Sequence, residues 1–217
     1  MKPLFLSLCL VLTTPLLPLP ASAQAAATQA ATPGAQIVAT GNQILATLQQ
    51  RRAEFRKDPA ALRSYIDSQI RNTFDSLYAA RLVLGVHGRG ASDADVKLFA
   101  DALIDNLMQR YGSALLDFEG KPRLRLKSET PLPNGRGMKI STELLRENGA
   151  PVPVDYLVRN NGGWKIFDVM IEGVSYVQTF RTQFDTPLQQ KSIAQVAADL
   201  RNGALQPPAP ASAKGGR

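Results

Sequence analysis

Trp164–Phe184 reads WKIFDVMIEGVSYVQTFRTQF, and its periodicity changes at the centre. Residues Trp164 to Ile171 are apolar on both sides of an extended chain, which predicts a strand covered on both faces. Trp164, Ile166 and Met170 are expected on one face, and Phe167, Val169 and Ile171 on the other. After Gly173, residues Tyr176, Phe180 and Phe184 recur at i, i+4 and i+8, which predicts a helix beginning near Val174. Asp168 interrupts the strand, and a buried carboxylate needs a partner. Arg181 on the following helix is one candidate, in a pair that would fix the angle at Gly173. A general base in a pocket is the alternative reading of Asp168. Glu172 stands just ahead of the helix, where its carboxylate would meet free N–H groups.

Upstream of this stretch the period is two. Leu124 and Leu126 alternate with Arg123, Arg125 and Lys127. Asn134-Gly135, Asn148-Gly149 and the run Asn160 to Gly163 mark three turns, separating strands around Met138–Leu144 and Val152–Val158. Four strands with short connections make an antiparallel meander. The first half of the chain is helical instead. Ile37, Ile44, Leu45, Leu48 and Phe55 form one stripe. Asp58-Pro59 opens a second helix, and a break is expected near Asn72-Thr73. Phe74, Leu77, Tyr78 and Leu82 continue after it. Gly85 to Gly90 is a loop. Ser92 caps a helix whose apolar face carries Val96, Phe99, Leu103, Leu107 and Tyr111. Thr186-Pro187 is expected to start the last helix. Helices, then a meander, then closing helices predict an α+β domain in layers.

The termini have a different character. Lys2, an apolar run over Leu4–Leu19 and Ala21-Ser22-Ala23 form a cleavable secretory signal, residues 1–23. Residues 24–36 read as a flexible leader, 37–202 as one domain, and 203–217 as a disordered Pro/Ala/Gly tail. The lone cysteine, Cys9, falls inside the signal, so the mature chain has no disulfide and depends on a packed core. The formal net charge of +7 favours anionic membranes or acidic partners.

Little in this sequence supports catalysis. One histidine and no mature cysteine make a metal site or a metal cofactor unexpected. His87, in a glycine-rich loop, is either a solvated histidine or the base of a hydrolase, but no G-x-S-x-G supplies a serine. GVHGRG lacks the order of a phosphate loop. Asp101 and Asp105 would repel at i, i+4 and should face water. Basic residues on the first strand lack interleaved aromatics, so nucleic acid is not an expected partner.

The stretch Trp164–Phe184 resembles the signature of the MlaC family of periplasmic auxiliary transport, or toluene-tolerance, proteins. The matching residues are Trp164, Lys165, Ile166, Phe167, Asp168, Val169, Ile171, Glu172, Gly173, Val174 and Ser175, then Phe180, Arg181, Gln183 and Phe184. A looser likeness extends over about Ile37 to Arg201, departing at Val86 and His87. The resemblance implies an NTF2-like cone, a curved four-stranded antiparallel meander wrapped by helices around an apolar cavity. It implies a soluble, non-enzymatic periplasmic carrier of diacyl phospholipid, without cofactor. Its partners would be an outer-membrane lipoprotein complex and an inner-membrane ABC-transporter complex that together maintain lipid asymmetry. A hopanoid-associated branch, a small enzyme of the same shape using Asp168 or His87, and a solid-cored adaptor are the competing readings. The chain is expected to be a monomer.

Such a carrier needs no catalytic group. Exposing acyl chains to water costs ~0.8 kcal/mol per CH₂, so two sixteen-carbon chains oppose escape by on the order of 25 kcal/mol. A barrier of that size implies about days per event. The expected lining is Phe74, Leu77, Tyr78, Leu82, Leu103, Leu107 and Tyr111 from helices. The sheet would add Leu126, Met138, Ile140, Val154, Tyr156, Trp164, Ile166 and Met170, with Tyr176 and Phe180 closing one end.

Overall fold

A computed structural model of the protein describes residues 32–117 and 120–206. The expected signal, most of the leader and the tail beyond 206 lie outside the described residues. Within them, the helix α1 (Pro33–Gln50) starts earlier than the stripe suggested. Thr32 accepts from the Ala35 N–H, and Pro33 occupies the first turn, where its missing N–H costs nothing. The apolar stripe to Phe55 is not one helix. The backbone leaves helical geometry at Arg51, and α2 (Arg52–Lys57) follows.

Asp58 caps α3 (Pro59–Thr73) by accepting from the N–H groups of Ala60 and Ala61. The α4 helix (Ser76–Leu84) is capped by Asp75, and α5 (Asp93–Tyr111) by Ser92. A sheet of five antiparallel strands follows in sequential order: β1 (Arg123–Pro131), β2 (Met138–Leu145), β3 (Val152–Asn160), β4 (Trp164–Ile171) and β5 (Val174–Ser175). The expected four-stranded meander is present with a fifth, two-residue strand added. Helices α6 (Tyr176–Gln190) and α7 (Ile193–Arg201) close the domain.

The join after β4 differs from the expectation. Glu172 and Gly173 have φ of 51° and 82°, the left-handed backbone of a tight hairpin turn, and Ile171 pairs with Val174 across it. Glu172 is exposed and does not cap the helix. The cap is Ser175, whose hydroxyl accepts from the Gln178 N–H. Pro187 does not start the last helix but lies inside α6, because Phe184 and Leu188 anchor the helix on both sides of it. The α7 helix begins instead at a capping box formed by Ser192 and Gln195.

A β-bulge also changes a face. Val158 pairs with Ile166 and Leu157 with Asp168, so Phe167 is the extra residue. Val169 therefore joins Trp164 and Ile166 on the inner face, and Met170, opposite Asp155, points to the other. The inner face of the sheet carries Leu124, Leu126, Met138, Ile140, Val154, Tyr156 and Val158. Ile37 of α1 packs into it with Ile140, Val158 and Ile166. Asn42 of α1 closes the exposed edge of β1: its amide donates to the Leu124 carbonyl (3.1 Å), and the Leu124 N–H donates to its oxygen (2.7 Å).

A second core lies among α4, α5, α6 and α7. It holds Phe99, Leu103, Phe180, Phe184, Val196 and Leu200. Phe99 and Phe184 meet edge to face at 5.5 Å. Buried Asn106 donates to the Leu200 carbonyl at 2.5 Å and ties α5 to the end of α7. Leu205 packs on this core, and its N–H donates to the Asp199 carbonyl at 3.0 Å. A third cluster, Leu48, Phe55, Leu62 and Leu116, joins α1, α2 and α3 to the turn Ser113–Leu116.

Candidate functional site

The break between α3 and α4 is where the site begins. Phe74 is extended and bridges to Ile166 of β4, and the Asp75 N–H donates to the Ile166 carbonyl at 2.8 Å. One Asp75 oxygen accepts from the Tyr78 N–H at 3.1 Å, which caps α4. The other accepts from Arg159 (2.7 Å) and Asn161 (3.0 Å). The Arg159 guanidinium also lies 4.0 Å from the centre of the Tyr78 ring. Asp75 thus pins two helices to the sheet. Sequence reading passed over it, although an Asp two residues after a predicted helix break is a cap signal.

One cleft opens beside this junction, and a second opens at the other end of α3. The first, about 640 Å³, lies among α3, α4, α5 and the start of β4. Its apolar floor is Ile70, Phe74, Leu77, Ala100 and Ile104. The second, about 770 Å³, lies among α2, α3, α5 and the turn Ser113–Leu116, with Phe55, Leu62, Met108 and Leu116 as its apolar part. Asp105 and Arg201 line both. The ridge between the clefts is an ion network. Arg63 contacts Asp105 and reaches Asp67 at 3.5 Å, and Arg201 reaches Asp105 at 3.6 Å. Asp105 does not simply face water. These side chains are 28–41 % exposed, and pairs so wetted hold the ridge by only about 1 kcal/mol each or less. Parting it would cost little.

The expected lining residues do not surround one hollow. Phe74 and Leu77 line the first cleft, with Leu77 40 % exposed. Ile140, Ile166, Phe74, Met138, Tyr156 and Trp164 form the cluster on the inner face of the sheet. Leu103, Leu107, Tyr176 and Phe180 belong to the separate helical core. Met170 is on the opposite face from Ile166 because of the bulge. Tyr78 packs edge to face on Phe167 at 5.2 Å. Leu82 and Tyr111 are half-buried, Val154 is buried, and Leu126 is exposed on the edge strand. Helical and strand periods mark which side chains share a face; they do not say which layer covers it. The cleft floors also hold Ile70, Ile104, Leu62 and Met108, each on a helical stripe that the sequence shows.

On the inner sheet face Tyr156 carries a titratable group, and burial pushes its phenol up to about 12. Met138, Trp164 and Val169 around it are only half-buried. Ile140 is fully buried against Ile37.

Asp168 is not paired with Arg181. One carboxylate oxygen accepts from the Ser175 hydroxyl (2.6 Å) and the other from the Val177 N–H (3.0 Å), so Asp168 caps the start of α6 from the sheet. Arg181 is exposed, and its guanidinium lies over Gly85. Burial pushes the Asp168 carboxyl above its usual value, against the pull of these hydrogen bonds. A raised carboxyl favours the fold most at pH below the unfolded value near 3.8, and that contribution is lost as the pH rises through the folded pKa. Asp168→Asn keeps an acceptor for Val177 and does not titrate. It is therefore expected to gain stability relative to the parent between pH 4 and pH 7. Asp168→Ala should lose about 1–2 kcal/mol at either pH. Urea unfolding at the two pH values checks both. His87 is not solvated alone; its Nε2 lies 2.9 Å from the carboxylate of Asp185 of α6.

No helix among the described residues is long and apolar enough to cross a membrane. The family model of the MlaC protein matches residues 39–202. The chain is 25 % identical over 163 residues to the toluene tolerance protein ttg2D of Pseudomonas putida, covering 74 % of this chain and 75 % of that protein. It is 22 % identical over 170 residues to the intermembrane phospholipid transport system binding protein MlaC of Haemophilus influenzae, covering 76 % and 79 %. The phospholipid-binding protein of Ralstonia solanacearum, solved in complex with a phospholipid, has the same fold. It superposes with a TM-score of 0.69 at 20 % identity, over 80 % of this chain and 98 % of that one. With the family model spanning three quarters of its length, from α1 to the end of α7, the chain belongs to the MlaC family.

Proposed function

We propose that this protein is a periplasmic phospholipid carrier that takes lipid from one membrane complex and delivers it to another. The observation that carries this reading is the pair of apolar-floored clefts meeting at the Asp105–Arg201 ridge. Each is of the size that holds a small ligand. Side by side, under a ridge held by wetted ion pairs, they could shield two acyl chains from water. The phospholipid named in two of the relatives supports the ligand class. Outer- and inner-membrane complexes as donor and acceptor, and a cleaved signal as the route of export, belong to the same proposal. The enzymatic reading gains nothing from the geometry, since both Asp168 oxygens are used in capping and His87 is held by Asp185.

Native mass spectrometry of the protein purified from a Gram-negative periplasm is expected to find co-purifying diacyl phospholipid. Ile140 is fully buried, so Ile140→Trp would overpack a core rather than fill a hollow. Leu77→Trp and Met108→Trp place the bulk in the clefts. They are expected to reduce retained lipid severalfold while circular dichroism stays that of the parent. A chain that carries no diacyl lipid and accepts none from vesicles would overturn the carrier.

A further inference from the structure

The charges around the first cleft do not cancel evenly. Four carboxylates line it, and each is answered: Asp67 by Arg63, Asp75 by Arg159 and Asn161, Asp101 by Lys97 at 2.6 Å, and Asp105 by Arg63 and Arg201. Four cations also line it. Lys97 and Arg201 are among those pairs, but Arg63 and Arg159 supply the rest from outside the lining. Arg71 and Lys165 are left over. Among the described residues neither has a carboxylate within 4 Å.

The two leftover cations are neighbours. The Lys165 ammonium donates to the carbonyl of Asn72 at 2.5 Å, one residue beyond Arg71. That bond satisfies an end of α3 and uses one of three ammonium donors. The guanidinium of Arg71 keeps its donors for another acceptor. Both positions are fixed by structure: Arg71 by the last turn of α3, Lys165 of β4 by its pairing with Arg159 of β3. Beside them the cleft floor is apolar, and Leu77 is exposed in it. A small inorganic anion would satisfy the cations and leave that floor wet. A molecule with a phosphate at one end and a chain at the other satisfies both.

We infer that Arg71 and Lys165 form a phosphate subsite at the mouth of the first cleft, binding the phosphodiester of a lipid whose chain lies over Phe74 and Leu77. This rests on the carrier reading and adds the part that fixes the head group. It places recognition on the phosphate shared by all glycerophospholipids, so affinity should depend on the phosphate and little on the alcohol esterified to it.

The test uses the delipidated full mature chain and the fluorescence of its single tryptophan, Trp164, which adjoins Lys165. The probes are dihexanoyl phosphatidylcholine, dihexanoyl phosphatidylglycerol, dihexanoylglycerol and inorganic phosphate. Both phospholipids are expected to bind the parent with similar affinity. The Arg71→Gln/Lys165→Gln variant should bind them at least tenfold more weakly and bind dihexanoylglycerol as the parent does. Arg71→Lys with Lys165 retained should recover most of the loss, which separates charge from folding. Arg89→Gln, a cation outside the cleft, should change nothing. Unchanged phospholipid affinity in the double variant would overturn the subsite and leave the carrier standing. Binding of inorganic phosphate as tight as that of the phospholipids would assign the cations to a free anion and also overturn it. Failure of the parent to bind any of the three lipids would sink the carrier reading itself.

Discussion

Asp75→Ala is expected to lower folding stability by about 3–5 kcal/mol, the cost of breaking a buried ion pair from one side. Asp75 is 9 % exposed, and its carboxylate accepts three hydrogen bonds, one of them from the Arg159 guanidinium as an ion pair. Alanine removes the cap of α4 and leaves the Arg159 guanidinium half-buried against Tyr78 without a counter-charge. Asp75→Asn keeps an acceptor for the Tyr78 N–H and should lose distinctly less. Removing the cation as well, in Asp75→Ala/Arg159→Met, should recover part of the loss, because no stranded charge remains. Urea denaturation of the parent, Asp75→Ala, Arg159→Met and the double variant measures the cycle, with Asp75→Asn alongside. A loss below 1 kcal/mol in Asp75→Ala would mean that the junction is held by the Phe74–Ile166 bridge and the Asp75 N–H alone.

Gly137→Ala is expected to cost about 4 kcal/mol. Gly137 leads into β2 with φ of 138°, and a Cβ there would stand 2.0 Å from the carbonyl oxygen of Val158. The obstacle is backbone on a neighbouring strand, so it cannot swing away as a side-chain tip could. Either β2 separates from β3 or the turn is rebuilt. Strained backbone and overpacking each cost on the order of 1–3 kcal/mol. Gly135→Ala is the control. Its φ is 65°, but nothing lies within 4 Å of the added carbon, so only about 1 kcal/mol should be lost. The difference between the two urea midpoints reads the contact with Val158 directly. Equal losses would show that conformation, and not the close approach of β3, is what demands glycine at 137.

The long-range contacts of both positions were invisible in the sequence for the same reason. Asp75 matters because Arg159 and Asn161, more than eighty residues away in the chain, converge on it. Gly137 matters because β3 crosses beside it. The paired turn Asn134-Gly135 was legible because a hairpin turn is a local object. Asn134 and Gly135 both adopt the positive φ that the turn needs. The Asp58 and Ser92 caps were legible on the same ground, since their partners are two or three residues away.

Proline was a weaker guide. Asp58-Pro59 and Thr186-Pro187 look alike in the sequence, yet one starts a helix and the other lies within one. What differs is the burial of Phe184 and Leu188 around Pro187, supplied by α4, α5 and α7. The extra residue at Phe167 was likewise hidden. A strand with apolar residues on both sides has no polar alternation to betray a bulge, so Val169 and Met170 were assigned to each other's faces.

The amino-acid sequence on its own determined the order of elements, the antiparallel meander, the local caps and turns, and the family likeness around Trp164–Phe184. Those follow from φ/ψ preference, hydrophobic period and short-range hydrogen bonding, all of which act within a few residues. Only the tertiary structure decided which layer covers each apolar face, that Asp168 caps α6 rather than meeting Arg181, and that Arg71 and Lys165 remain uncompensated beside an apolar floor. Burial and charge balance are sums over groups distant in the chain, and no local pattern contains them.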